Sequence, residues 1–138
     1  LLASQPKEYR LDASQLKRFA LFEGVEDEKL AKIAPFTVLV EFAEGKVIIQ
    51  EGGFANDFYA IDVGTVKVEK GGEVVAELGP GDVFGEQGLL EKQERSASVI
   101  ATSTVRALKI EHWELARMRK AMPEVVAELA KTVEERSD

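Results

Sequence analysis

Between residues 36 and 110 the apolar positions recur every second residue in short runs, and glycine-bearing turns interrupt each run. Phe36, Val38, Val40 and Phe42 alternate with Thr37, Leu39 and Glu41 before the turn at Glu44-Gly45. Further runs cover 46–50, 57–63, 65–69, 74–78, 96–101 and 104–110, separated by Gly52-Gly53, Gly64, Gly71-Gly72 and Gly79-Pro80-Gly81-Asp82. A period of two puts successive side chains on opposite faces, so runs of this length are half-buried strands. Gly71-Gly72 between two runs is a strong two-residue hairpin signal. The pattern predicts about eight strands arranged as a jelly-roll-like barrel.

On either side the period becomes helical. Ser14 is expected to cap a short helix carrying Leu16, Phe19 and Ala20 on one face, stopped by Gly24. A second short helix fits 26–34, with Leu30 and Ile33 inward and Pro35 ending it. After the strands, 111–121 carries Trp113, Leu115, Ala116 and Met118, and Pro123 is placed to begin another helix. Trp113 is expected to anchor the packing of these helices, and His112 to be solvated or capping. Val125, Val126, Leu129 and Val133 form one apolar stripe, which would pack on the barrel as a lid or form a dimer seam. The fold class expected is mainly β with flanking helices. Residues 1–13 read as a leader or upstream linker and 14–138 as one domain, with the barrel at about 36–110 and C-terminal helices at about 111–136. Residue 1 is Leu rather than Met, so the chain is expected to be part of something longer.

Composition excludes several chemistries. A chain of 138 residues with 45% hydrophobic and 31% charged residues has the balance of one soluble globular domain. No cysteine and one histidine leave neither a thiolate nor a multi-histidine metal site, and no nucleophile stands beside a base, so no enzyme and no metal are expected. The absence of cysteine fits a reducing cytoplasmic setting. A net charge of −7 argues against a nucleic-acid surface, and no apolar run reaches membrane-spanning length.

Residues 83–99, VFGEQGLLEKQERSASV, carry the functional signal. Gly85 lets backbone approach a ligand, and a helix-compatible piece over 86–90, with Gln87, Gly88 and Leu89, offers the N–H groups of a first turn to an anion. Arg95 then supplies a planar fork of donors suited to a phosphate. Glu86 would repel a phosphate but could accept hydrogen bonds from a neutral hydroxyl such as that of a ribose. One anion and one hydroxyl point to a nucleotide with few phosphates. Each residue alone has a plainer reading: Arg95 as a surface arginine in an exposed ion pair, Glu86 as an acidic residue favoured by a helix dipole, Leu89 as a core or pocket-wall residue.

Gly85-Glu86-Gln87-Gly88-Leu89-Leu90 followed by Arg95-Ser96-Ala97-Ser98-Val99, with the Leu78-Gly79-x-Gly81-Asp82-x-Phe84 approach, the Glu51-Gly52 turn and Gly64, resembles the cyclic-nucleotide-binding domain family over roughly residues 16–136. The resemblance implies that Arg95 pairs with the cyclic phosphate, that Glu86 binds the ribose 2′-hydroxyl, and that the backbone of Gly85, Ser96 and Ala97 helps hold ribose and phosphate. Threonine at the position of Ser96 is associated with cGMP preference in the family, so the serine inclines the expectation to cAMP. Glu94 stands where eukaryotic members usually carry proline, and it is expected to face solvent. The implied function is a sensor of cAMP, or of cGMP, whose C-terminal helices reposition over the filled site and act on an effector outside these residues. A homodimer through the C-terminal helix is a further possibility. The alternative is a degenerate domain of the same fold, serving protein interaction or dimerisation without nucleotide. The intact Glu86 and Arg95 argue against it.

Overall fold

A computed structural model describes residues 7–53, 57–86 and 97–136. Nine strands lie among them, in two antiparallel sheets. The five-stranded sheet has the order β1 (Lys7–Arg10), β2 (Val38–Phe42), β9 (Val105–Ile110), β4 (Phe58–Val63), β7 (Val83–Phe84). The four-stranded sheet runs β3 (Val47–Ile49), β8 (Ser98–Ala101), β5 (Val66–Lys70), β6 (Glu73–Leu78). Four helices flank the sheets: α1 (Ala13–Leu16), α2 (Asp27–Ile33), α3 (His112–Ala121) and α4 (Pro123–Arg136). The expected architecture, mainly β with flanking helices, is the one observed.

Two apolar clusters hold these layers. Val40, Phe42, Ile49, Tyr59, Ile61, Val66, Phe84, Val99, Val105 and Ala107 fill the space between the sheets. The other face of the five-stranded sheet, through Leu39, Phe58, Ala60, Leu108 and Ile110, packs on Leu16, Phe22, Leu30 and Ile33 of the N-terminal helical segment and Leu115 and Met118 of α3. Leu39 therefore points away from Val40 and Phe42 yet is equally buried, because helices cover the second face of the sheet. Val125, Val126, Leu129 and Val133 of α4 are buried in this helical cluster, so the stripe is used within the chain.

Several local expectations are corrected. The cap of α1 is Asp12, not Ser14: its Oδ1 accepts the Gln15 N–H at 3.0 Å while its own N–H donates to Gln15 Oε1 at 2.8 Å. Ser14 sits two residues inside, in the first turn, and donates to the same carboxylate at 2.7 Å. Phe36 is not in a strand. It belongs to a 3₁₀ turn, Ala34–Phe36, with Pro35 at its start, and the buried Thr37 closes that turn by donating its hydroxyl to the Ala34 carbonyl at 2.8 Å. Lys7–Arg10, featureless as sequence because all four side chains are exposed, nonetheless pairs as β1 with β2, Tyr9 opposite Leu39. Trp113 does not anchor the helices. It is 52% exposed, since the inward positions of α3 are Leu115 and Met118.

The turns follow the glycine chemistry. Gly71 and Gly72 have φ of +59° and +85°, the pair of left-handed residues that a tight hairpin requires, and they join β5 to β6 with Lys70 opposite Glu73. Gly64, at φ +95°, lies so close to the chain that a Cβ there would collide with the carbonyl oxygen of Thr104.

Candidate functional site

The segment singled out by sequence enters from one sheet and returns in the other. On the entry side, the Gly79–Asp82 turn is closed twice: the Asp82 N–H donates to the Gly79 carbonyl at 3.0 Å, and the Gly79 N–H donates to Asp82 Oδ2 at 2.9 Å. This turn is tied to β4, where the Ile61 N–H donates to the Asp82 carbonyl at 2.9 Å and the Gly81 N–H to the Ile61 carbonyl at 3.1 Å. The chain then runs into β7, pairing Val83 with Ala60 and Phe84 with Tyr59. The Phe84 ring stacks on that of Tyr59, centroids 4.8 Å apart and planes 14° apart, and Phe42 meets Tyr59 edge-on at 6.0 Å. Gly85 follows, buried and at φ +74°, a conformation that favours glycine. Glu86 is half-buried beside it.

On the return side, Ala97 is half-buried and leads into β8, which lies between β3 and β5. The buried Ser98 accepts the Glu51 N–H on its Oγ at 2.9 Å. Glu51 in turn accepts the Gly71 N–H on Oε1 at 3.2 Å, linking this return to the β5–β6 hairpin. Of the predicted site residues, the structure thus places Gly85 and Glu86 at the end of β7 and Ala97 at the start of β8. Gln87, Gly88, Leu89, Arg95 and Ser96 lie outside the described residues.

Sequence reasoning missed a bulge in β6, the edge strand of the sheet that receives the return. In the four-stranded sheet Val99 lies opposite Val68, and Val68 opposite Ala76, while Glu69 pairs with Ser98 and with Val74. The register shifts between Val68 and Glu69, so Val75 is an extra residue on β6. Val74 and Val75 are 53% and 58% exposed, unusual for neighbouring valines in a strand of six. The signal available in sequence was the doubled valine itself, which breaks the alternation of that run. Among the described residues, no group of three or more His, Cys, Asp or Glu side chains could hold a metal.

Two antiparallel sheets with helices on one face, with β7 in one sheet followed in sequence by β8 in the other, set the class of fold. Comparison with known proteins narrows the class: the profile of the cyclic nucleotide-binding domain matches residues 39–121, and the chain belongs to that family. It is 36% identical over 97 residues to a cAMP-dependent protein kinase regulatory subunit of Hypocrea atroviridis, covering 70% of this chain and 21% of that protein. To a cGMP-dependent protein kinase of Plasmodium berghei it is 33% identical over 95 residues, covering 69% of this chain and 11% of that protein. A Geobacter metallireducens crystal structure, assigned as a cyclic nucleotide-binding protein, superposes with a TM-score of 0.81 at 25% identity, over 91% of this chain and 94% of that one. The chain spans about a fifth or less of the curated relatives it matches. It is a cyclic nucleotide-binding regulatory domain by family.

Proposed function

We propose that this domain senses cAMP in preference to cGMP and passes occupancy on through its C-terminal helices to an effector domain or protein. The observation that carries this reading is the ordered set Gly85-Glu86 followed by Arg95-Ser96-Ala97, entering from β7 and returning into β8. In this reading Arg95 pairs with the cyclic phosphate, with N–H groups over Gln87–Leu89 and the backbone at Gly85, Ser96 and Ala97 supporting it. Glu86 accepts from the ribose 2′-hydroxyl. Serine at 96 supports cAMP, since threonine is the residue associated with cGMP preference. The effector and the cytoplasmic setting belong to the same proposal. No helix among the described residues is long and apolar enough to cross a membrane.

The sensing step requires that the nucleotide bind one arrangement of α3 and α4 better than another. A ligand of micromolar affinity carries about −8 kcal/mol of binding free energy. Stranding a charge by removing its buried partner costs roughly 3–5 kcal/mol. Arg95→Ala is therefore expected to weaken binding by about two to three decades. Isothermal titration with cAMP and cGMP, wild type against Arg95→Ala, is the test. A loss of less than about fivefold in the variant would remove Arg95 from the site. Tighter binding of cGMP than cAMP would reverse the stated preference.

A further inference from the structure

Besides the apolar packing of α3 on the five-stranded sheet, one carboxylate ties the sheet to the start of the C-terminal helices. Phe58 of β4 pairs with Ile110 of β9, so Asp57 stands opposite the point where the chain leaves β9 for α3. Asp57 Oδ1 accepts the backbone N–H of His112, the first residue of α3, at 2.8 Å, and lies 3.0 Å from its imidazole Nδ1. The local cap position, Glu111, makes no side-chain capping bond, so α3 takes its N-terminal acceptor from a strand more than 50 residues earlier. The Asp57 carboxylate is largely shielded, its side chain 18% exposed.

β4 also carries the other moving part. It lies between β9 and β7 in the sheet, and β7 runs directly into Gly85 and Glu86. Tyr59, two residues beyond Asp57, stacks on Phe84 immediately before Gly85. One strand end is therefore bonded on one side to the start of the nucleotide segment and on the other to the first turn of α3.

We infer that Asp57 is a positioning residue for the sensing function: it pins the first turn of α3 to β4, so that a change at Gly85–Glu86 is carried through Phe84 and Tyr59 to the α3–α4 pair. This inference rests on the proposed ligand-driven movement of those helices. A pin of this kind acts on transmission rather than on affinity, because the bonds to His112 lie at the start of α3, on the β9 side of β4 and away from β7.

The test is amide hydrogen exchange over residues 125–133, with and without saturating cAMP, alongside titration calorimetry on the same proteins. Asp57→Ala removes both acceptor contacts, while Asp57→Asn keeps an oxygen for the His112 N–H. His112→Pro cuts both contacts from the other side with a residue suited to the first helical position, and the extended backbone of Glu111 (φ −69°, ψ 150°) accommodates it. In Asp57→Ala and His112→Pro, cAMP affinity is expected to stay within about threefold of wild type while the cAMP-induced change in exchange falls by more than about half. Asp57→Asn should restore it. If Asp57→Ala does not fold, His112→Pro decides alone. A wild type that responds and severed variants that respond equally overturn the inference while leaving the sensing reading intact. A wild type that binds cAMP with no exchange change overturns helix movement, and this inference with it.

Discussion

Gly85 and Gly64 both sit at positive φ, in different surroundings. Gly85 is a buried left-handed residue directly after β7, beside Glu86. At Gly64 the constraint is crowding against Thr104 and Val105 at the β4–β5 turn. Gly64→Ala would add both the cost of a left-handed alanine, about 1–3 kcal/mol, and a collision with backbone that cannot swing aside. It should lower the thermal midpoint measurably, with circular dichroism as the readout. Glu111 shows the opposite kind of cost. Burial raises its carboxyl above the ordinary value, with Lys109 opposing and Glu8, Asp57 and Glu114 reinforcing. An acid whose folded pKa is raised destabilises the fold where it is ionised, and the penalty disappears as pH falls through that folded value. Glu111→Gln is therefore expected to be more stable than wild type at neutral pH, the difference closing on acidification in parallel thermal melts. A constant difference at every pH would show that the carboxyl's charge is not the cause.

At the scale of elements, α4 is tied down by its apolar stripe. Leu129, 4% exposed, shares a cluster with the N-terminal helices and α3. Leu129→Ala is expected to cost about 2–5 kcal/mol, read from urea unfolding with an unchanged m-value. Retention of full stability would mean that α4 is not docked in solution as it is in the structure. Most strands between 38 and 110 were legible from alternating apolar positions, as in β2 and β5, whereas the two-residue β7 was too short to show a period. The Gly71-Gly72 hairpin was legible because its turn admits so few residue types. β1 was not, since Lys7–Arg10 buries nothing and is held by backbone pairing alone. Trp113 misled for a related reason: helical spacing puts it on the face of α3 opposite Leu115 and Met118, and a large apolar side chain says nothing by itself about which face is buried. Asp57 was invisible as a cap because capping is sought three or four residues away, and this acceptor arrives through strand pairing.

For the whole molecule, the candidate site was legible only as an ordered motif of residue types, a glycine, a carboxylate, an arginine and small residues behind it, with Gln87–Leu89, Arg95 and Ser96 outside the described residues. The bulge in β6 was not, because it depends on a register shift against β5 and not on any residue type. The crossing of the loop between the sheets was equally hidden, since it is a property of strand order and not of any residue. That crossing has a mechanical consequence. If the ligand is held as proposed, by residues following β7 and residues preceding β8, it would act as a removable rivet through the sandwich. Force applied to pull the two sheets apart would meet the ligand's bonds in parallel with the apolar core, so an occupied domain should be stiffer across the sandwich than along either sheet.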